Sequence, residues 1–216
     1  MTIHCCWFGE EPKDALSRRC RESWARFAPS CDVREWTREA LADAPAFVQA
    51  ALKAKKWAFA ADWLRFKALF ACGGLYLDYD VELFAPLTDF GANWVAGQAS
   101  VSGGTVPEPA VLALEKGSPL ARAMLDYYAT ATFDASQTVS DVMRRLGLVT
   151  QLKVLPAEVF CPIGLDGRMT RTAQTVGVHH CAMRWAGWRR RLARWMNWHG
   201  LRPLVNALLN LRRCGA

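Results

Sequence analysis

Apolar and polar residues switch between two periods along the chain, and the switches mark its elements. "TIHCCWF" is a short apolar run ended by Gly9, the pattern of a buried strand. Leu16, Cys20, Trp24 and Phe27 then recur at helical spacing, and Pro29 stops that helix. "CDVREW" predicts a second strand, and "EALADAPAFVQAALKAKK" predicts one or two short helices broken near Pro45. "WAFAADWLRFKALFACGG" predicts a long helix closed by glycine. "GGLYLDYDVELF" reads as a strand running into two acids, and "NWVAGQ" as another strand. "PAVLALEKGSPLARAMLDYYATA" reads mostly as helix, interrupted near Gly117-Ser118-Pro119. "DVMRRLGL" is a further helix, and "LKVLP" and "TVGVHHC" are late strands. Strands that alternate with helices predict an α/β protein, a sheet sandwiched by helices.

Composition narrows the picture. A chain of 216 residues, 52% hydrophobic, has material for one sizeable core and is not a disordered chain. It contains no apolar run of about 18 residues, so no transmembrane helix is expected. "MTIHCCWFGEEPKD" has neither the basic nor the long apolar region of a signal peptide, so a cytoplasmic location is expected. The eight cysteines form no CxxC pair and are expected to be reduced thiols rather than a zinc site. The net charge of +7 is concentrated at one end: eight arginines and no acid lie between Cys181 and Ala216, leaving the rest close to neutral.

The candidate chemistry lies in "LYLDYDVELF". In a strand, residues i and i+2 point to the same side, so Asp78 and Asp80 share one small volume if strand geometry persists. At about 6 Å and an effective dielectric near 20, two carboxylates repel by roughly 3 kcal/mol, which a cation between them would offset. Hard divalent ions prefer carboxylate oxygen and leave positions for phosphate oxygens. The competing reading is a solvated turn. The preceding helix adds Asp62 and Arg65 to a largely apolar element, where unpaired burial would be costly. They form either an intrahelical ion pair or a polar pair facing the same cleft as the D-x-D acids.

These residues carry a resemblance. "AADWLRFKALFACGGLYLDYDVELFAPL" resembles the core of the glycosyltransferases with a DxD sugar-binding region, glycosyltransferase family 32, which includes initiating mannosyltransferases and capsular-polysaccharide sugar transferases. The matching positions are Ala61, Asp62, Arg65, Gly73, Gly74, Asp78, Asp80, Pro86 and Leu87. The same arrangement recurs in the sugar-transferring domains of large clostridial toxins. "IHCCWFG", "CRESWARFAP" and "EW" resemble the family's N-terminal strand, helix and second strand. "VGVHHCAMRW" resembles its C-terminal block, with His180 and Trp185 matching by spacing. Cys181 stands where a tryptophan is usual, and Arg184 where a serine is usual.

The resemblance implies a GT-A type, Rossmann-like sheet flanked by helices, with a nucleotide-sugar bound at strand C-terminal ends. It implies a retaining, metal-dependent transfer of a sugar to a hydroxyl of a glycan or lipid-linked acceptor in surface polysaccharide synthesis. Mn²⁺ or Mg²⁺ would be held by Asp78, Asp80 and His180, and would neutralise the leaving diphosphate. Asp62, Arg65 and Asp78 would hold the donor sugar or diphosphate, Trp7 would pack on the base, and Trp185 would belong to the same donor-binding set. A UDP-sugar is favoured over a GDP-sugar. The alternative function is a noncatalytic nucleotide-sugar or glycan binding module on the same fold, and for Trp7 the alternative is ordinary core packing.

Residues 1–186 are thus read as the transferase domain and 187–216 as a basic helical tail. In the tail region Trp185, Trp188, Leu192 and Trp195 fall at helical spacing among Arg189, Arg190, Arg191 and Arg194. Such a tail suits an anionic membrane surface or packs on the domain with its basic face outward. The body has no nucleic-acid motif, so no nucleic-acid partner is expected.

Overall fold

Leu75 and Leu77 pack on one side of the central sheet and Tyr76 on the other, and this alternation divides the interior in two. The computed structural model describes residues 1–9 and 11–182. Trp185 and the tail at 187–216 lie outside the described residues. In chain order the elements are β1 (Thr2–Cys6), α1 (Ala15–Phe27), β2 (Asp32–Trp36), α2 (Ala46–Lys53), α3 (Trp57–Cys72), β3 (Gly74–Leu77) and β4 (Val81–Leu83). They continue with β5 (Trp94–Ala99), β6 (Thr105–Leu114), α4 (Pro119–Thr130), α5 (Val139–Arg145), β7 (Lys153–Val154), α6 (Ala157–Phe160) and β8 (Gly177–His179).

Six strands form one mixed sheet in the order β2-β1-β3-β6-β5-β7, and β4 pairs with β8 in a separate antiparallel ribbon. β1 is parallel to β2 and β3, whereas β6 runs antiparallel to β3 and β5. The chain leaves β1 toward β2 and returns across it to β3. The order therefore reverses between β1 and β3, the place where open α/β sheets leave a crevice at strand C-terminal ends. Trp7 follows β1 and Asp78 follows β3, so both stand at that crevice.

Local sequence explains most element ends. Asp14 caps α1, its side chain accepting from the Ser17 N–H at 2.7 Å. Ser118 caps α4, with Pro119 in the first turn, and Thr138 with Asp141 forms a capping box on α5. α3 is enclosed on nearly all sides: Phe59, Trp63, Phe66 and Leu69 are buried, and so are Asp62 and Arg65. The helix ends at Gly73 with φ +66°, and Gly74 follows at φ +108°. A Cβ on Gly74 would lie 2.4 Å from the Thr2 carbonyl oxygen, so only glycine lets the chain turn out of α3 directly onto β1.

Two expectations are corrected. The stretch from Pro109 to Leu114, read as helix, is the second half of β6. Its six residues are apolar without a break, and neither a helical nor a strand period can be read from so short a run. The helix starts only at the Ser118-Pro119 cap. The acids also do not continue the strand: β3 stops at Leu77, and the Val81 N–H bonds the Asp78 carbonyl at 3.0 Å, closing a turn.

Candidate functional site

The turn, rather than the pleat, brings the two carboxylates together. Asp78 continues the pairing by one bond, its N–H reaching the Ala110 carbonyl at 2.9 Å. Beyond the turn, β4 is held by α1: the Trp24 indole donates to the Val81 carbonyl at 2.8 Å, and Ser23 Oγ accepts from the Leu83 N–H at 2.9 Å. β8 completes the frame from the far end of the described chain. Val81 lies opposite His179, and the His180 N–H bonds the Asp80 carbonyl at 2.9 Å.

This register decides which histidine meets the acids. His179 Nε2 lies 3.4 Å from Asp80 Oδ1, and ligand atoms of Asp78, Asp80 and His179 all lie within 4.8 Å of one another. His180 turns the opposite way, with Nε2 at 2.8 Å from Glu82 Oε2, which Arg19 also approaches at 3.1 Å. His180, the histidine expected from the sequence, is therefore seated on Glu82, and its neighbour stands in the acid cluster. Asp80 also accepts the Ala182 N–H at 2.6 Å. Two carboxylates and one imidazole are together a donor set for a divalent metal ion.

The Asp62–Arg65 pair does face the same acids. One Arg65 Nη2 lies 3.1 Å from Asp62 Oδ1 and 3.4 Å from Asp78 Oδ1, so a buried guanidinium bridges helix and turn. Tyr76 supports both partners: its hydroxyl donates to Asp78 at 2.9 Å, and its ring lies 4.6 Å beneath the guanidinium. Arg65 Nε is buried with no hydrogen-bond partner among the described residues. Burial pushes the Asp62 carboxyl up to about 7 despite Arg65, with the charges of Asp78 and Glu108 adding to the rise. Burial likewise raises Asp78, against the pull of Arg65. Burial opposes a charged ring on His179, but Cys181 and Asp80 outweigh it and hold the pKa well above the usual value.

Trp7 stands at the other side of the turn. It is half-buried, and its ring meets Tyr79, the residue between the two acids, edge-on at 5.2 Å. Lys13 lies over both rings, 5.5 Å from Trp7 and 5.3 Å from Tyr79, and pairs with Glu35 at 3.0 Å. Sequence reading did not single out Tyr76 or Glu108. The alternation of β3 could have placed Tyr76 on the α3 side of the sheet, the side that carries Arg65.

Residues 15–100 match the family model described as the glycosyltransferase sugar-binding region containing the DXD motif. No curated protein matches the chain. Among solved structures, the PaToxG glycosyltransferase superposes with a TM-score of 0.55 over 73% of this chain and 70% of that one, at 17% identity. A glycosyltransferase involved in the glycosylation of the major capsid of PBCV-1 superposes with a TM-score of 0.50 over 93% of this chain and 98% of that one, at 13% identity. The class that fold and site define is a mixed α/β protein of the GT-A type, a central sheet flanked by helices with an acidic, histidine-bearing cluster at its crevice. Within that class the chain shares the fold of these glycosyltransferases, and its D-x-D turn lies inside the matched sugar-binding region.

Proposed function

We propose that this protein is a metal-dependent, retaining glycosyltransferase that moves a sugar from a nucleoside diphosphate to a hydroxyl group. The observation that carries the reading is the meeting of Asp78, Asp80 and His179 within 4.8 Å at the β1/β3 crevice, beside the buried Asp62–Arg65 pair. In this reading those three residues hold Mn²⁺ or Mg²⁺, which when bound neutralises charge on the leaving diphosphate. His179 thereby takes the part that the family resemblance gave to His180.

The chain's own groups do the rest. Arg65 presents a fixed, planar donor surface to donor oxygens, and Asp78 and Tyr76 keep it from turning away. Asp62 accepts from sugar hydroxyls and orients the ring. Trp7 offers an aromatic surface for the base, with uridine favoured over guanine. Trp185, which lies outside the described residues, is assigned to donor binding from the family resemblance. The acceptor is a glycan or lipid-linked hydroxyl in surface-polysaccharide synthesis, and family 32 membership belongs to the same proposal. No helix among the described residues is long and apolar enough to cross a membrane. We assign membrane contact to the eight arginines between Cys181 and Ala216, which would hold a cytoplasmic enzyme at the inner membrane face.

The test is donor hydrolysis, followed by transfer to glycan acceptors, with and without Mn²⁺. Release of nucleoside diphosphate that depends on the metal supports the transferase. Tight donor binding with no turnover under any metal would leave only the binding-module alternative.

A further inference from the structure

Glu108 sits between two prolines, in Pro107-Glu108-Pro109. A following proline confines a residue to extended backbone, so Glu108 has little freedom. It also sits where β6 changes partners. Val95 pairs with Leu112, but Ala96 pairs with Glu108, so Pro109, Ala110 and Val111 are extra on the β6 side. Those residues serve β3 instead: Val111 pairs with Leu77, and the Ala110 carbonyl takes the Asp78 N–H at 2.9 Å. Bulges next to a site re-aim a side chain, and here the carboxylate folds back, Oε1 accepting the Ala110 N–H at 3.3 Å. Glu108 is thereby fastened to Ala110, the residue whose carbonyl holds the Asp78 N–H.

Glu108 thus stands two residues along β6 from the carbonyl that holds the Asp78 N–H. Glu108 is half-buried, and no lysine or arginine pairs with it among the described residues. It is also outside the group formed by Asp78, Asp80 and His179. A carboxylate only accepts hydrogen bonds, so what it meets must donate. A diphosphate would be repelled there, whereas the hydroxyl groups of a sugar would be bound.

We propose that Glu108 reads the transferred sugar, Oε2 accepting a hydrogen bond from one of its hydroxyl groups and so selecting among epimers. This rests on the donor reading above. A bond to a charged acceptor is worth about 10- to 100-fold in affinity, and a site built around one hydroxyl discriminates against sugars that misplace it.

The experiment is calorimetric binding, in Mn²⁺, of UDP, UDP-glucose, UDP-galactose, UDP-N-acetylglucosamine, GDP and GDP-mannose to the full chain, Glu108→Gln and Glu108→Ala. The expected result is nucleoside diphosphate binding unchanged within about 2-fold, with the preferred nucleotide-sugar weakened about 10- to 100-fold in Glu108→Ala and less in Glu108→Gln. The spread between epimers should narrow in both variants. Parallel loss of diphosphate and nucleotide-sugar binding, or an unchanged epimer preference, would overturn the role of Glu108 while leaving the donor reading intact. A wild type that binds none of these nucleotides would overturn the donor reading itself, and this inference with it.

Discussion

His179 and His180 are adjacent in the chain but serve different carboxylates: His179 Nε2 lies 3.4 Å from Asp80, and His180 Nε2 lies 2.8 Å from Glu82. The two rings meet different acids, so their roles can be separated by single substitutions. His179→Ala should weaken activation by Mn²⁺ by at least about 10-fold, the usual scale for perturbing a metal shell. His180→Ala should leave the Mn²⁺ titration in place and lower thermal stability instead. If the two titration curves shift in the reverse sense, the metal assignment to His179 is wrong.

Arg65 should not tolerate lysine. One guanidinium nitrogen bridges Asp62 and Asp78 while the planar group lies over the Tyr76 ring, and an ammonium on a flexible stem cannot reproduce that stacking. Arg65→Lys should lose most turnover, and Arg65→Ala should also cost about 3–5 kcal/mol of stability by leaving buried acids uncompensated. Kinetics and denaturant melts of the pair test this; wild-type turnover in Arg65→Lys would reduce the residue to a packing element.

Asp62 gives the site a pH signature. Its carboxyl lies at about 7 in the fold against an ordinary 3.8, so the folded chain keeps the proton longer than the unfolded chain. The associated stability is complete below pH 3.8 and is lost as pH rises through 7. Asp62→Asn lacks this titration. Its melting temperature relative to wild type should therefore climb between pH 5 and pH 8, while donor affinity falls. Parallel melting profiles across that range would refute the buried, raised carboxyl.

The arginine-rich segment should bind lipid. Each arginine near an anionic surface contributes about 1 kcal/mol, and eight are available, though not all can face the lipid at once. The full chain should cosediment with phosphatidylglycerol vesicles at low salt and release as salt rises, and a chain ending near Ala186 should stay in the supernatant. Equal partitioning of both chains would remove the membrane role.

Much of this molecule was legible from its residues, and the failures have physical causes. That Asp62 and Arg65 lie beside Asp78 and Asp80 was legible because charges on an apolar helix are expensive and therefore conspicuous. α3 and its glycine exit were legible because a long apolar helix with a double glycine has few alternatives. The second half of β6 was misread because six consecutive apolar residues carry no period. The choice between His179 and His180 depends on which of two faces β8 turns inward. That is set by the pairing of Val81 with His179, a long-range register that no local pattern encodes. Glu108 was passed over because the meaning of Pro-Glu-Pro depends on the bulge that it creates.

The bond from the Ala182 N–H to Asp80 joins the acid turn to the last described backbone before the arginine-rich segment. The two oxygens of Asp80 are thereby divided, Oδ2 taking the Ala182 N–H and Oδ1 facing His179 Nε2 at 3.4 Å, so a substitution that removes this carboxylate loosens the acid turn and the backbone at Ala182 together.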